Sequence, residues 1–341
     1  MPDTDVVELA ARMMEIDSTS GSEGALVDWV DNYLAGDDWK TRRIPVSEGR
    51  DDVLASSVDE PRVTLSTHLD TVPPYIPPRL DGDTLWGRGA CDAKGIAAAM
   101  IVAAQRLRAS GVPVALLFVV GEEVTHDGAE AANRVKTTSE VLINGEPTES
   151  TLAIGTKGAM RFTLRTRGQA AHSAYPHLGK SAIAELVRLL AEMDTLQLPR
   201  DPQLGDTTIN IGTIEGGVAD NVMAPAAEAR CMARLVTSPE VFFDVLRRWV
   251  GDRAELEQGI TVKLARLGTL PGFPTSVAAY ATDIPKLSNW GRPYLFGPGS
   301  IHFAHRDDEH VPVAELRSAV DAYVRIAQQS LIASDRRISP S

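Results

Sequence analysis

From Asp5 to Leu34 the apolar positions Val6, Leu9, Ala10 and Met13, then Leu26, Val27, Trp29, Val30 and Leu34, recur at helical spacing. That period predicts two amphipathic helices around the turn Ser18-Thr19-Ser20-Gly21-Ser22. The pattern then changes. Arg62 to Ser66 and Pro113 to Val120 are short apolar runs rich in strand-forming residues, and the Ala-rich stretch Gly95 to Ser110 between them reads as a long helix. A third run, Glu140 to Ile143, follows another helical segment. Strand, helix, strand, helix, strand predicts an α/β domain with a mainly parallel sheet, in which ligands bind beyond the carboxyl ends of the strands.

A different rhythm begins after Gly155-Thr156-Lys157-Gly158. Met160 to Arg167 alternates as a half-buried strand, Lys180 to Met193 reads as a helix, and Thr207 to Ile214 and Glu228 to Val236 read as strands. A helix over Pro239 to Glu257 and a strand over Thr261 to Leu267 complete the β-α-β-β-α-β order of a ferredoxin-like motif. After Pro271 the chain returns to the first pattern through a strand at Pro293 to Phe296, a Gly-Pro-Gly loop and a helix from Val313 to about Ile332. The tail Arg336 to Ser341 is expected to fray. The 341 residues exceed the roughly 250–300 at which one core stops growing. The expectation is therefore a catalytic domain of residues 1–156 and 270–341, with residues 157–269 inserted as a second domain.

Composition narrows the class. With 43% apolar and 23% charged residues the chain is expected to fold throughout, as soluble enzymes do. Cys91 and Cys231 form no Cys-x-x-Cys pair, so any metal must be held by His, Asp and Glu. A net charge of −12 and no Lys/Arg block longer than two argue against nucleic acid and anionic lipid as partners. No apolar run approaches the ~18 residues of a membrane span, and the acidic start has no secretory pattern. The expected setting is the cytoplasm and the expected partner a small molecule.

Five polar motifs stand at predicted strand ends or in loops on one side of the predicted sheet. His68 and Asp70 close the first strand two residues apart, so Asp70 can accept a bond from the imidazole and orient it as a ligand; a turn histidine with a capping aspartate is the alternative. Asp92, in the loop Gly87-Arg88-Gly89-Ala90-Cys91-Asp92, stands just before the long helix, where it can also act as a cap. Glu122 and Glu123 end a strongly apolar strand, where two carboxylates are costly to bury without compensating charge; a solvated turn is the other reading. Glu146 follows the third strand. His305 follows Gly297-Pro298-Gly299 and competes with His302.

Together, in this order and spacing, these motifs resemble the zinc aminoacylase and carboxypeptidase family that includes acetylornithine deacetylase, succinyl-diaminopimelate desuccinylase and glutamate carboxypeptidase. The resemblance spans nearly the whole chain. It implies a zinc-exopeptidase-like catalytic domain of α/β class with a mainly parallel sheet, plus an inserted ferredoxin-like α+β lid and dimerisation domain. It further implies two zinc ions, with cobalt or manganese able to substitute. Asp92 would bridge them, His68 and Glu146 would complete one site, and Glu123 and His305 the other. Two Zn²⁺ would balance three ligand carboxylates and one hydroxide, so an anionic substrate is not repelled. Glu122 would then be the general base toward a metal-activated water and would later protonate the leaving amine. His305 is preferred to His302 because only it precedes the family's His-x-x-Asp-Glu arrangement. The peptide after the bridging aspartate is cis in the family, here Asp92 to Ala93.

In the insert, His172 resembles the family's oxyanion-stabilising histidine, while Asn221 and Arg234 resemble residues that hold a substrate carboxylate. Met232 replaces the acidic residue that often stands two positions before that arginine. A turn role for Asn221 and a strand-surface role for Arg234 remain open. His126, His177 and His310 read as ordinary loop histidines. The resemblance leads to an amidohydrolase acting on a small anionic N-acyl amino acid, and to a homodimer joined through the insert, with His172 serving the partner's site. A carboxypeptidase or dipeptidase is the alternative, and a catalytically inactive metal-binding scaffold a more distant one.

Overall fold

The computed structural model describes residues 5–338. Helices α1 (Val6–Met14) and α2 (Gly24–Ala35) stand where the helical period placed them. Asp5 caps α1 by accepting the Val7 N–H at 2.8 Å, and Val6, Leu9, Ala10 and Met13 are turned into the core. A hairpin follows, β1 (Lys40–Ser47) and β2 (Arg50–Ser56), then β3 (Val63–His68), α3 (Lys94–Ala109), β4 (Val114–Val119), α4 (Asp127–Ala132) and β5 (Val141–Asn144). Next come β6 (Gly158–Arg167), α5 (Ala182–Glu192), β7 (Thr208–Gly216), β8 (Ala226–Leu235), α6 (Pro239–Val250) and β9 (Glu255–Val262). The chain closes with β10 (Arg292–Leu295) and α7 (Val313–Ile338).

Two units share the chain. The first holds the chain up to Ile154, Leu267–Ser276 and everything from Thr282 onward; the second holds Gly155–Arg266 and Val277–Ala281. In the first, a six-stranded sheet runs β1-β2-β4-β3-β5-β10. Its last four strands are parallel, and the β1–β2 hairpin extends it antiparallel. Every residue of β3, β4 and β5 is buried. Alternation along β4 explains this: Leu116 and Phe118 join the core made with α1, α3 and α7, while Leu117 and Val119 join a second core with α4 and Trp290. The parallel register brings the carboxyl ends of β3, β4 and β5 to one edge.

The second unit has an antiparallel sheet in the order β7-β8-β6-β9. That is the ferredoxin-like arrangement. Phe162 and Leu164 of β6 pack with Leu186 of α5 and with Phe242 and Leu246 of α6. The edge strand β7 is exposed along nearly all its length.

Three sequence expectations are corrected. The helix expected over Pro239 to Glu257 stops at Val250, because Gly251 takes φ 52°, a conformation glycine tolerates, and its N–H closes on the Arg247 carbonyl. The following strand therefore starts at Glu255 and ends at Val262, ahead of the Thr261 to Leu267 expected. The helix expected to end near Ile332 continues to Ile338, and residues 339–341 of the tail lie outside the described residues.

Candidate metal centre and catalytic site

Strand β3 delivers His68 to the carboxyl edge of the sheet, and the chain turns there to Asp70. The imidazole Nδ1 is 2.9 Å from the main-chain carbonyl of Asp70 and 3.5 Å from its carboxylate. The carbonyl is the nearer acceptor of the N–H, and the carboxylate that the sequence expects to orient the ring stands beside it at ion-pair distance. The Asp70 carboxylate also accepts from the amides of Glu122 and Glu123, at 3.0 and 3.2 Å, and from Ser20 Oγ at 2.7 Å. Asp70 therefore fixes the turn that presents the two glutamates. Gly121 enters that turn with φ 74°, and a Cβ there would meet Asp127 and Arg50.

With Nδ1 donating to a carbonyl, His68 Nε2 is left facing Asp92 Oδ1 at 3.0 Å. The other oxygen, Asp92 Oδ2, lies 3.4 Å from His305 Nε2, which is also 3.0 Å from the Glu123 carboxylate. One carboxylate thus reaches toward two histidines, one oxygen to each. His68, Asp92 and Glu123 bring their ligand atoms within 4.8 Å of one another. Glu146 is buried beyond the end of β5. His305 rather than His302 reaches the carboxylates. The Asp92–Ala93 peptide is cis.

The electrostatics describe a site that needs positive charge. Burial pushes the Glu122 carboxyl well up, and the negative charges of Glu146 and Asp283 push it further. Burial and then Asp92 raise Glu123, and burial raises Glu146 well above its usual range against the pull of His68. Burial opposes charge on His68, but its bonds to Asp70 and Asp92 outweigh this and hold it well above the usual imidazole value. His305 is pushed up to about 10 by its bonds to Asp92 and Glu123. Asp92 is held low because the two histidines overcome its burial.

A cation satisfies the same donors without protons. Tetrahedral ligands about 2.0 Å from zinc stand about 3.3 Å apart, since each edge is about 1.6 times the bond length. The contacts of 3.0, 3.0 and 3.4 Å among His68, Asp92, Glu123 and His305 are of that size. The all-N/O donor set also suits zinc and its borderline neighbours.

Glu122 lies apart from this ligand group. Its Oε1 is 3.7 Å from His126 Nδ1, which bonds Asp283 at 2.8 Å. His126, read from sequence as an ordinary loop residue, is buried, and it joins Glu122 and Asp283 in a second acid–imidazole group. Arg88 and Glu309, both buried, also went unnoticed in the sequence. The signal was present in Glu309, which ends the His-x-x-Asp-Glu run, and in Arg88, which stands between two loop glycines.

In the second unit, His172 is exposed and bridges Val222, and the Asn221 carbonyl accepts from Ser173 at 2.9 Å. Those two residues are neighbours. Arg234 pairs with Ala159 near the start of β6, whereas the His172 loop follows the far end of that strand. Eight residues of extended chain, roughly 27 Å, separate the ends.

Acids and histidines converging at the carboxyl edge of a parallel sheet form a donor set suited to divalent cations. Similarity gives the family. Residues 64–329 match the model of peptidase family M20/M25/M40, and the chain belongs to it. A Peptidase M20 domain-containing protein of Schizosaccharomyces pombe is 38% identical over 96% of this chain and 85% of its own length. A protein named probable carboxypeptidase from Paracoccidioides lutzii is 36% identical, covering 95% of this chain and 85% of its own. In fold, the chain resembles a tripeptidase of Staphylococcus aureus, with TM-score 0.80 and 17% identity over 96% of this chain and all of the other.

Proposed function

We propose that this chain is an exopeptidase that removes the C-terminal residue from short peptides, using two divalent cations held by His68, Asp92, Glu123, Glu146 and His305. Zinc suits the donors best, and cobalt or manganese fit the same set. The observation that carries the reading is Asp92, whose two oxygens face different histidines as a bridging carboxylate's would. Bound there, the cations would supply Lewis acidity toward the scissile carbonyl and toward water.

The protein's own part is proton transfer and positioning. Glu122 is free of the ligand group, and its raised proton affinity suits a base that takes a proton from water and returns it to the leaving amine. Glu123 is occupied by His305, which keeps the adjacent carboxylates in separate roles. Asp70 holds both in place through their amides. Arg234 would pair with the carboxylate of the leaving residue, Asn221 would bind substrate, and His172 would donate to the developing oxyanion.

Arg234 and His172 sit at opposite ends of β6. One small substrate cannot span the roughly 27 Å between those ends. That separation supports a homodimer in which one chain's insert supplies Arg234 and the partner's supplies His172 and Asn221. The exposed apolar side chains of Ile183 and Val187 on α5, Ile211 and Ile214 on the edge strand β7, and Val218 just after it favour pairing through the insert. No helix of the described residues is long and apolar enough to cross a membrane, and the two free cysteines are buried; both accord with work in the cytoplasm.

The curated relative named probable carboxypeptidase moves the reading from the deacylase expected from sequence toward a peptidase. Both reactions need the same site. The deciding experiment is turnover of dipeptides, tripeptides, N-acetyl and N-succinyl amino acids with added Zn²⁺, Co²⁺ or Mn²⁺. Release of the C-terminal residue from peptides with free carboxylates is expected to lead, and amidated C-termini should be poor substrates. Preference for N-acetyl or N-succinyl amino acids would return the reading to deacylation, and no metal-dependent turnover of any of them would remove it.

A further inference from the structure

We infer that Arg88 and Glu309 form a buried clamp that positions Asp92 and joins its loop to the His305 loop, which makes both of them positioning residues for the metal centre. The inference rests on the two-cation reading above.

The two side chains are almost wholly enclosed, at 1% and 0% exposure, and Arg88 Nη1 donates to Glu309 Oε2 at 2.6 Å. The other oxygen, Oε1, accepts three amides of the loop: Gly89 at 2.9 Å, Asp92 at 3.2 Å and Cys91 at 3.3 Å. Arg88 Nη1 also donates to the carbonyl of Arg306 at 3.0 Å, and its Nε donates to that of Pro74 at 3.3 Å. The Gly87 amide adds a bond to the Glu309 carbonyl at 2.9 Å. Six bonds therefore tie residues 87–92 to residues 306–309. The ligand Asp92 ends the first segment, and the ligand His305 immediately precedes the second.

A buried ion pair is a poor source of stability, because desolvating two charges offsets most of their attraction. What this pair provides is geometry. Glu309 fixes the main-chain N–H of Asp92, so the direction of its side chain is set before any cation arrives. Arg88 holds the carbonyl next to His305, whose φ of 66° is a left-handed conformation that a non-glycine residue keeps only when its surroundings enforce it. Arg88 also neutralises Glu309, so a carboxylate only 3.2 Å from the Asp92 amide does not compete for the cation. Partners that orient metal ligands in this way typically change metal affinity by about 10–100-fold when removed.

The test is Co²⁺ affinity by chelator competition, with the visible spectrum of the bound ion, on the full chain and without substrate. Glu309→Gln keeps the shape of the side chain, and Arg88→Lys keeps the charge but loses the fork. Each is expected to bind Co²⁺ about 10–100-fold more weakly than the native chain, with a shifted spectrum and unchanged far-UV circular dichroism. Glu140→Gln, which breaks an Arg62 pair at the opposite ends of the strands, should leave affinity and spectrum unchanged while lowering Tm. Should Glu309→Gln fail to fold, Arg88→Lys decides. Native affinity and spectrum in the folded variants, or weakening no larger than in Glu140→Gln, would overturn the clamp. Asp92→Ala separates the two ideas. If the native chain binds Co²⁺ and Asp92→Ala does not, a normal Glu309→Gln removes the clamp alone; if the native chain binds none, the two-cation reading falls and the clamp with it.

Discussion

The carboxyl edge of the first unit and the loops of the second present polar residues in opposite ways. At the sheet edge, His68, Asp70, Asp92 and Glu146 are buried, and the contacts described above fix the orientation of the first three. In the second unit, His172 and Asn221 are exposed on loops, and Arg234 sits at the other end of the sheet. A buried charge is costly without partners, so the first arrangement draws its partners from its own unit and its surplus carboxylates call for positive charge. An exposed loop group has no such constraint and acquires its meaning from what binds it. The difference teaches where substitutions should act on chemistry and where on recognition.

The largest expected effect tests the first half of that contrast. Glu122→Ala should lower kcat by ~10²–10⁴ while metal content stays near two per chain, because a base outside the ligand group can be lost without loss of cations. Asp92→Ala should instead lose metal. Elemental analysis beside kinetics separates the two, and a Glu122→Ala enzyme as fast as native at saturating metal would refute the assigned base.

Next in size is the loop histidine. His172→Ala should cost ~10²–10³ in kcat, the worth of one positioned oxyanion donor, with no change in metal content. Mixed dimers of His172→Ala and Glu122→Ala chains should recover activity toward about one site in two, by counting sites in which an intact Glu122 meets the partner's intact histidine. Verified heterodimers as inactive as their parents would place the histidine's action within its own chain or nowhere.

A smaller effect concerns stability of the buried network behind Glu122. Asp52 is fully buried; it accepts the Val120 amide at 3.0 Å through one oxygen, and burial pushes its carboxyl up to about 8. Between about pH 4 and 8 the folded chain then holds a proton that the unfolded chain has released, so stability falls as pH rises through that window. Asp52→Asn keeps the acceptor and removes the titration. It should raise stability at pH 7–8 by a few kcal/mol at most, seen as a higher Tm, and match the native chain near pH 4. Equal pH dependence of the two proteins would contradict the burial argument.

Smallest of all, Asp5→Ala and Ser181→Ala remove the side-chain caps of α1 and α5, one in each unit. Each should cost about 1 kcal/mol in denaturant unfolding and leave metal content alone.

What the sequence revealed follows the same division. Strands β3, β4 and β5 were legible because burial on both faces leaves near-continuous apolar runs. The β1–β2 hairpin was not, since Ile44 is the only buried residue of β1 and an edge strand facing water carries no apolar signature. The candidate ligands could be picked out because each stands directly after a legible strand or in a glycine loop. Their supports could not, because Arg88 and Glu309 are 221 positions apart and His126 and Asp283 are 157 apart. Local spacing carries no information about such pairs. Asp70 shows the limit at short range: the two-residue period put it on the correct side, but which of its atoms meets His68 depends on a turn that the period does not describe.

The antiparallel pairing of β6 with β9 sets Ala159 opposite Val262, so the inserted module begins and ends on adjacent strands. Neighbouring Cα atoms in such a pair are only about 5 Å apart. To the rest of the chain, an excursion of roughly a hundred residues thus behaves as a short loop once the module has folded, instead of imposing the closure entropy of a long flexible one. The long segment Gly155–Arg266 therefore costs the host little in closure, while Val277–Ala281 returns to the same unit as a separate short segment, so the module is held by two excursions and not by one.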